Sequence, residues 1–132
     1  MTLASIHSAI MATLCASWAT ATSIDLPNHP FTIPKNRAWI RPRVKMGQSF
    51  IGEIGDSGIG LRTGVLMISI YLPPGSGTIL GTGYASRLEA IFRRKTISGI
   101  TFEEPASDEV GEVENGNYQL ITSCDFQTFV GE

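Results

Sequence analysis

From Val65 to Leu72 every residue except Ser69 is apolar. The run is bounded by Gly64 on one side and by Pro73-Pro74-Gly75-Ser76-Gly77 on the other. That is too short for a buried helix, and its β-branched content predicts a strand over residues 61–72. An apolar run this continuous is expected of a central strand covered on both faces. The rest of the chain must therefore supply flanking strands and a covering layer.

The flanking strands are legible as period-two patterns. Over residues 38–46, Ile40, Val44 and Met46 point one way, while Trp39, Arg41, Arg43 and Lys45 point the other. Pro42 within that run marks an edge strand or a bulge, because proline cannot donate to a ladder. Over residues 117–130, Tyr118, Leu120, Thr122, Cys124, Phe126, Thr128 and Val130 share one face. Asn115-Gly116 just before them is a hairpin-turn signal. Ile100 and Phe102 mark a further short strand.

The covering layer reads as two helices. Leu3, Ile6, Ile10, Leu14 and Trp18 recur every three or four residues, which predicts a helix over 2–20 with Thr2 as its N-cap. A second helix is predicted over 79–95. Tyr84, Leu88, Ile91 and Phe92 form its buried face, and Arg93, Arg94 and Lys95 suit its C-terminal end. Gly81 and Gly83 weaken its first turn. Pro27, Pro30 and Pro34 make residues 25–37 a loop, within which Phe31 and Ile33 can form a short edge strand. The resulting fold class is α+β: a mainly antiparallel sheet with two helices packed on it, in a single domain over residues 1–132. A chain of 132 residues buries roughly two-thirds of its unfolded surface, enough for a core without staples.

Two segments stand out as contact surfaces. Gly47, Gly52, Gly55, Gly58 and Gly60 predict a mobile hairpin loop over 47–60, yet it carries the large apolar residues Phe50, Ile51 and Ile54. Such groups can stay loose in a free subunit and be buried on assembly. Arg41, Arg43 and Lys45 form a basic strand face. The acidic residues Glu103, Glu104, Asp108, Glu109, Glu112 and Glu114 predict a solvated loop over 103–114. The basic face is either simply solvated, or meets an acidic partner surface or a DNA backbone.

Charge and inventory exclude several functions. Ten basic and twelve acidic residues give a net charge of −2, against a protein whose main task is to coat nucleic acid. The first 22 residues lack Lys, Arg, Asp and Glu, and Ala19-Thr20-Ala21 imitates a cleavage site. A basic opening is missing, however, and Ser5, His7, Ser8 and Thr13 interrupt the apolar run, so a helix is predicted rather than a leader. No run of about 18 apolar residues exists to span a membrane.

Cys15 and Cys124 form no C-x-x-C pair and sit near no histidine cluster, so neither a zinc site nor another metal site is predicted. Two buried free thiols in a reducing cytoplasm are expected, with a disulfide between them as the alternative. His7 and His29 belong to no recognisable nucleophile–base set. Gly75-Ser76-Gly77 lacks the Lys-Ser/Thr ending of a phosphate loop and reads as a turn. No catalytic residue and no cofactor is predicted.

Several segments taken in order resemble a known family. They are Trp39-Ile40-Arg41, then Leu61-Arg62-Thr63-Gly64-Val65-Leu66, then Tyr71-Leu72-Pro73-Pro74-Gly75-Ser76-Gly77. Ala85-x-x-Leu88-x-x-Ile91-Phe92 follows, and Pro27-Asn28-x-Pro30-Phe31-x-x-Pro34 precedes them. Together, from about residue 24 to 130, they resemble the tail terminators of long-tailed bacteriophages. The motif positions are Trp39, Arg62, Gly64, Pro73, Pro74, Gly75 and Gly77. The departures are the short acidic segment before the last strand and the lack of a diagnostic functional residue.

The resemblance implies a non-enzymatic virion protein made in the host cytoplasm. It implies a homo-oligomeric ring, usually hexameric, at the head-proximal end of the tail. That ring would cap the tube, end its polymerisation, and join the tail tube protein to a head-completion or connector protein. DNA would pass through the lumen with only passive contact, and no membrane is involved. A head–tail connector or tail-completion ring protein is the alternative of the same kind. A small hydrolase or nucleotide-binding module is the alternative of another kind.

Overall fold

A computed structural model describes residues 3–18, 21–51, 60–113 and 116–130. The elements run α1 (Leu3–Trp18), β1 (Ser23–Ile24), β2 (Trp39–Ile51), β3 (Gly60–Leu72), α2 (Thr78–Phe92), β4 (Thr96–Ile97), β5 (Ile100–Phe102), β6 (Ala106–Glu112) and β7 (Tyr118–Val130). The strands form one sheet in the order β1-β2-β3-β7-β5-β4, with β6 also paired to β7. The β1–β2 pair is parallel and the others are antiparallel, so the sheet is mixed.

The predicted apolar strand is indeed central: β3 pairs with β2 along one edge and with β7 along the other. Its covering differs from expectation. Leu66, Ile68, Ile70 and Leu72 are buried, but Val65, Ser69 and Tyr71 between them are half-buried and Met67 is exposed. Both helices lie on one face, where Ile6, Ile10, Leu14, Trp18, Ala85, Leu88 and Phe92 meet Ile40, Leu120, Cys124 and Phe126. On the opposite face the loop before β2 covers the Trp39 end, where Phe31 packs on Trp39, and the remainder is open among the described residues. Cross-strand partners such as Arg41 and Gln119, rather than a second helical layer, shield the odd-numbered apolar residues of β3.

Local chemistry sets the element ends. Helix α1 buries Met11 beside the predicted stripe, whereas Leu3 at its start is 52% exposed. Helix α2 stops at Phe92, three residues before the predicted end. Arg93 is the C-cap, its N–H donating to Glu89 O at 2.7 Å, while Arg94 takes φ 50° and so Arg94 and Lys95 lie beyond the helix. The turn into α2 works as expected. Gly75 and Gly77 hold φ of 80° and 81°, where only glycine is free of strain, and Ser76 Oγ donates to Pro73 O at 2.9 Å.

Gly81 does not weaken the helix start but lets the helix close on the sheet. A Cβ there would meet Leu72 Cδ1 at 2.6 Å and Leu120 Cδ1 at 2.7 Å. The short edge strand is β1, not Phe31 and Ile33. Phe31 packs instead on Trp39, with ring centroids 5.3 Å apart.

Candidate assembly surface

The basic strand face is not uniform. Arg41 and Arg43 both reach Asp25, which follows β1 and is 7% exposed. Arg41 Nε donates to Asp25 Oδ2 at 2.8 Å, and Arg43 Nη2 lies 3.5 Å from the same oxygen. Arg43 Nη1 also donates to Asp25 O at 2.8 Å and Pro42 O at 2.7 Å. The Arg41 guanidinium lies 5.0 Å from the Trp39 ring centroid and 5.5 Å from that of Tyr71. Those two rings stack at 4.2 Å and 17°. Arg41 and Arg43 are thus part of the fold: they dock β1 and the following loop onto β2. Lys45 is different, being exposed and free of ion pairs among the described residues. A period-two pattern shows that three cations share a face but not that a carboxylate 16 residues away claims two of them. The available signal was that Asp25 is the only acidic residue before Glu53.

The acidic segment is a strand, not a loop. Residues Ala106–Glu112 pair with β7 from Tyr118 to Ser123, with a register shift between Glu109 and Gly111. The reason is a polar cluster on the helix side. Ser107 Oγ donates to Glu89 Oε2 of α2 and shares a 2.9 Å hydrogen bond with Thr122 Oγ1. Arg93 then bridges Glu89 and Glu104, at 2.8 Å to each. Asp108 and Glu109 stay exposed because β6 has β7 as its one neighbour among the described strands. The chain turns back between β6 and β7, where Val113 N donates to Asn117 O at 2.8 Å and Gly116 has φ 75°; Asn115 of the predicted turn lies outside the described residues.

The predicted loop over 47–60 is shorter than expected. β2 runs on to Ile51, with Phe50 opposite Leu61 and Ile51 opposite Gly60 after a register shift between Met46 and Ser49. Two of the three apolar residues are therefore strand-paired in backbone terms. Ile54 lies outside the described residues. Of the motif positions, Trp39 is buried under Arg41 and Phe31. Arg62 sits between Ser49 and Thr128 in the register, and its buried Nε has no hydrogen-bond partner among the described residues. Gly64 is a point of close approach: a Cβ would lie 2.5 Å from Phe126 Cζ and 2.9 Å from Lys45 O. Pro73, Pro74, Gly75 and Gly77 form the turn into α2, and Pro74 lies near Gly116 of the last hairpin.

The remaining candidate groups are separated. His7 is half-buried on α1, and His29 is exposed in the loop before β2. Cys15 and Cys124 are free thiols. Burial pushes the Cys124 thiol from 9.0 up to about 11, although a backbone hydrogen bond at Glu103 works against the rise. Such a thiol is a poor nucleophile. Among the described residues no cluster of His, Cys, Asp or Glu is placed to hold a metal ion, and no helix is long and apolar enough to cross a membrane.

A family model described as phage tail terminator protein matches residues 5–113, from the first turn of α1 to the end of β6. The chain belongs to that family. No curated protein matches the chain. A solved structure superposes on the chain with a TM-score of 0.74. It is 19% identical in sequence, and the match covers 100% of this chain and 99% of the other. At that identity the likeness shows the fold alone. Membership of the family points to a structural role in a phage tail, and so to a component of the virion tail.

Proposed function

We propose that this phage tail terminator family member assembles into a ring that caps the tail tube, ends its polymerisation and offers the joining face to the head. The role is structural and not enzymatic. The observation that carries the reading is the family match over residues 5–113, which takes in both helices and the strands β1 to β6 of the described residues. The open sheet face is consistent with it. A subunit built to work in a ring needs surface that only neighbours cover, and Met67 and Phe129, 39% and 59% exposed, lie on that uncovered side. Phe50, Ile51 and Ile54 are the proposed contact with the tube or with a neighbouring subunit, on their apolar character in an otherwise glycine-rich stretch.

The test is a phage lacking this subunit, complemented by a tagged copy. Tails made without it should lose length control and fail to join heads, and the tag should localise to the head-proximal end. Tails of normal length without the subunit would sink the reading. A tag found only on the head side of the joint would favour a connector instead.

A further inference from the structure

We propose that copies of this chain join through their backbones, the free edge of β2 on one copy adding to the free edge of β6 on the next. The inference rests on the proposed ring and specifies how it closes. Asp25 N donates to Ile40 O, so Ile40 turns its backbone groups away from β3. With period two, Pro42, Val44 and Met46 do the same. Pro42 has no N–H to offer, and Arg43 occupies its carbonyl. That leaves the N–H and C=O groups of Val44 and Met46 facing outward.

On the other side of the sheet, Glu103 N donates to Asp125 O, so Asp125 and, by alternation, Ser123 and Ile121 face β5 and β6. Their partners Ala106 and Asp108 turn inward. Ser107 and Glu109 therefore turn outward. Three antiparallel steps separate β2 from β6, so two copies side by side in the same orientation present these edges antiparallel.

The two edges match in length, register and charge. Pairing Val44 with Glu109 and Met46 with Ser107 sets Lys45 directly opposite Asp108. Both are exposed, both lie on the open face, and neither has an ion pair among the described residues. The interruptions coincide as well. In this register Pro42 falls opposite Gly111, just past the irregularity of β6 at Glu109–Gly111. Gly47, where β2 shifts register, falls opposite Ala106, where β6 begins. Each edge thus exposes one regular stretch, and the two stretches are equal. The joint would be heterologous, with a basic edge meeting an acidic one, as a closed ring requires.

The experiment uses the full chain with Lys45→Glu and Asp108→Lys, each alone and mixed in equal amounts, with assembly read by native mass spectrometry. Each single reversal sets like charges opposite at every joint and should raise the concentration needed for rings by about tenfold or more, less so at high salt. Mixing should restore rings, because alternating copies make every joint complementary in an even-numbered ring. Met46→Pro, at an outward position like that of Pro42, should keep the circular dichroism spectrum and lose rings. Rings that ignore all three substitutions, or a mixture that recovers nothing, overturn the edge pairing while leaving the tail role standing. A wild-type chain that stays monomeric both in solution and on purified tails overturns the ring as well.

Discussion

The Asp25 carboxylate accepts a hydrogen bond from Arg41 Nε at 2.8 Å, and through it β1 and the loop that follows are tied to the open face of β2. The carboxylate is nearly buried, while Arg41 is about one-third exposed. Removing one partner of such a pair leaves the other under-solvated. Asp25→Ala should cost about 1–2 kcal/mol after allowance for the exposure of both arginines. Asp108→Ala, which breaks no ion pair among the described residues, should cost no more than about 0.5 kcal/mol. Urea unfolding of the monomer at matched pH checks the contrast, and equal midpoints would show that the Asp25 cluster contributes nothing.

Gly64 and Gly83 should respond in opposite directions. At Gly64 a methyl group would collide with the Phe126 ring and the Lys45 carbonyl, so Gly64→Ala should destabilise by about 1–3 kcal/mol and Gly64→Val by more. At Gly83 nothing lies within 4 Å of the added carbon, and the residue is exposed in α2. Gly83→Ala should therefore stabilise by about 0.5–1 kcal/mol. Thermal melts of the two Ala variants decide it, and a shift of the same sign in both would contradict the packing described.

Glu89 holds α2 to the edge strand β6. Replacing it by Ala takes the carboxylate acceptor from Ser107, leaving Ser107 only Thr122 among its described side-chain partners, and takes one carboxylate from Arg93. The expected cost is about 1–2 kcal/mol. The sharper signature is local: amide exchange should quicken in β6 but not in β3. Uniform quickening across the sheet would show that Glu89 supports the whole fold rather than this strand.

Cys124 and Cys15 should differ in reactivity. With its pKa raised to about 11 by burial, Cys124 stays a protonated thiol at pH 8, so alkylation should modify half-exposed Cys15 first and Cys124 only on unfolding. The sign of the linked stability follows. The folded state keeps a proton that the unfolded chain loses near pH 9, so this contribution is intact below pH 9 and is lost as pH rises toward 11. In Cys124→Ala that part of the alkaline decline should vanish. An unchanged decline would assign it to other groups.

What the sequence determined by itself was the set of strongly periodic elements. The apolar run 65–72, the alternation from Tyr118 to Thr128, the stripe Ile6-Ile10-Leu14-Trp18 and the Pro-Gly turn into α2 all fold as their patterns require. Hydrophobic period and turn chemistry act within a few residues, where no distant partner is needed to read them. The order of the family segments carried the family for the same reason.

The tertiary structure decided which surfaces are satisfied. Alternation placed Arg41, Arg43 and Lys45 together, but only the return of the chain at Asp25 made two of them structural and left Lys45 without an ion pair among the described residues. Six acids in twelve residues read as a loop, because their local charge outweighs a weak strand pattern. The segment becomes a strand once β7 supplies a ladder and Glu89 a partner for Ser107. A buried-looking strand can be half covered, since an apolar run records only that water is excluded and not whether a helix, a cross-strand side chain or another subunit excludes it. Those partners lie far away in sequence, and pairwise contacts between distant residues leave no periodic trace in the chain that makes them.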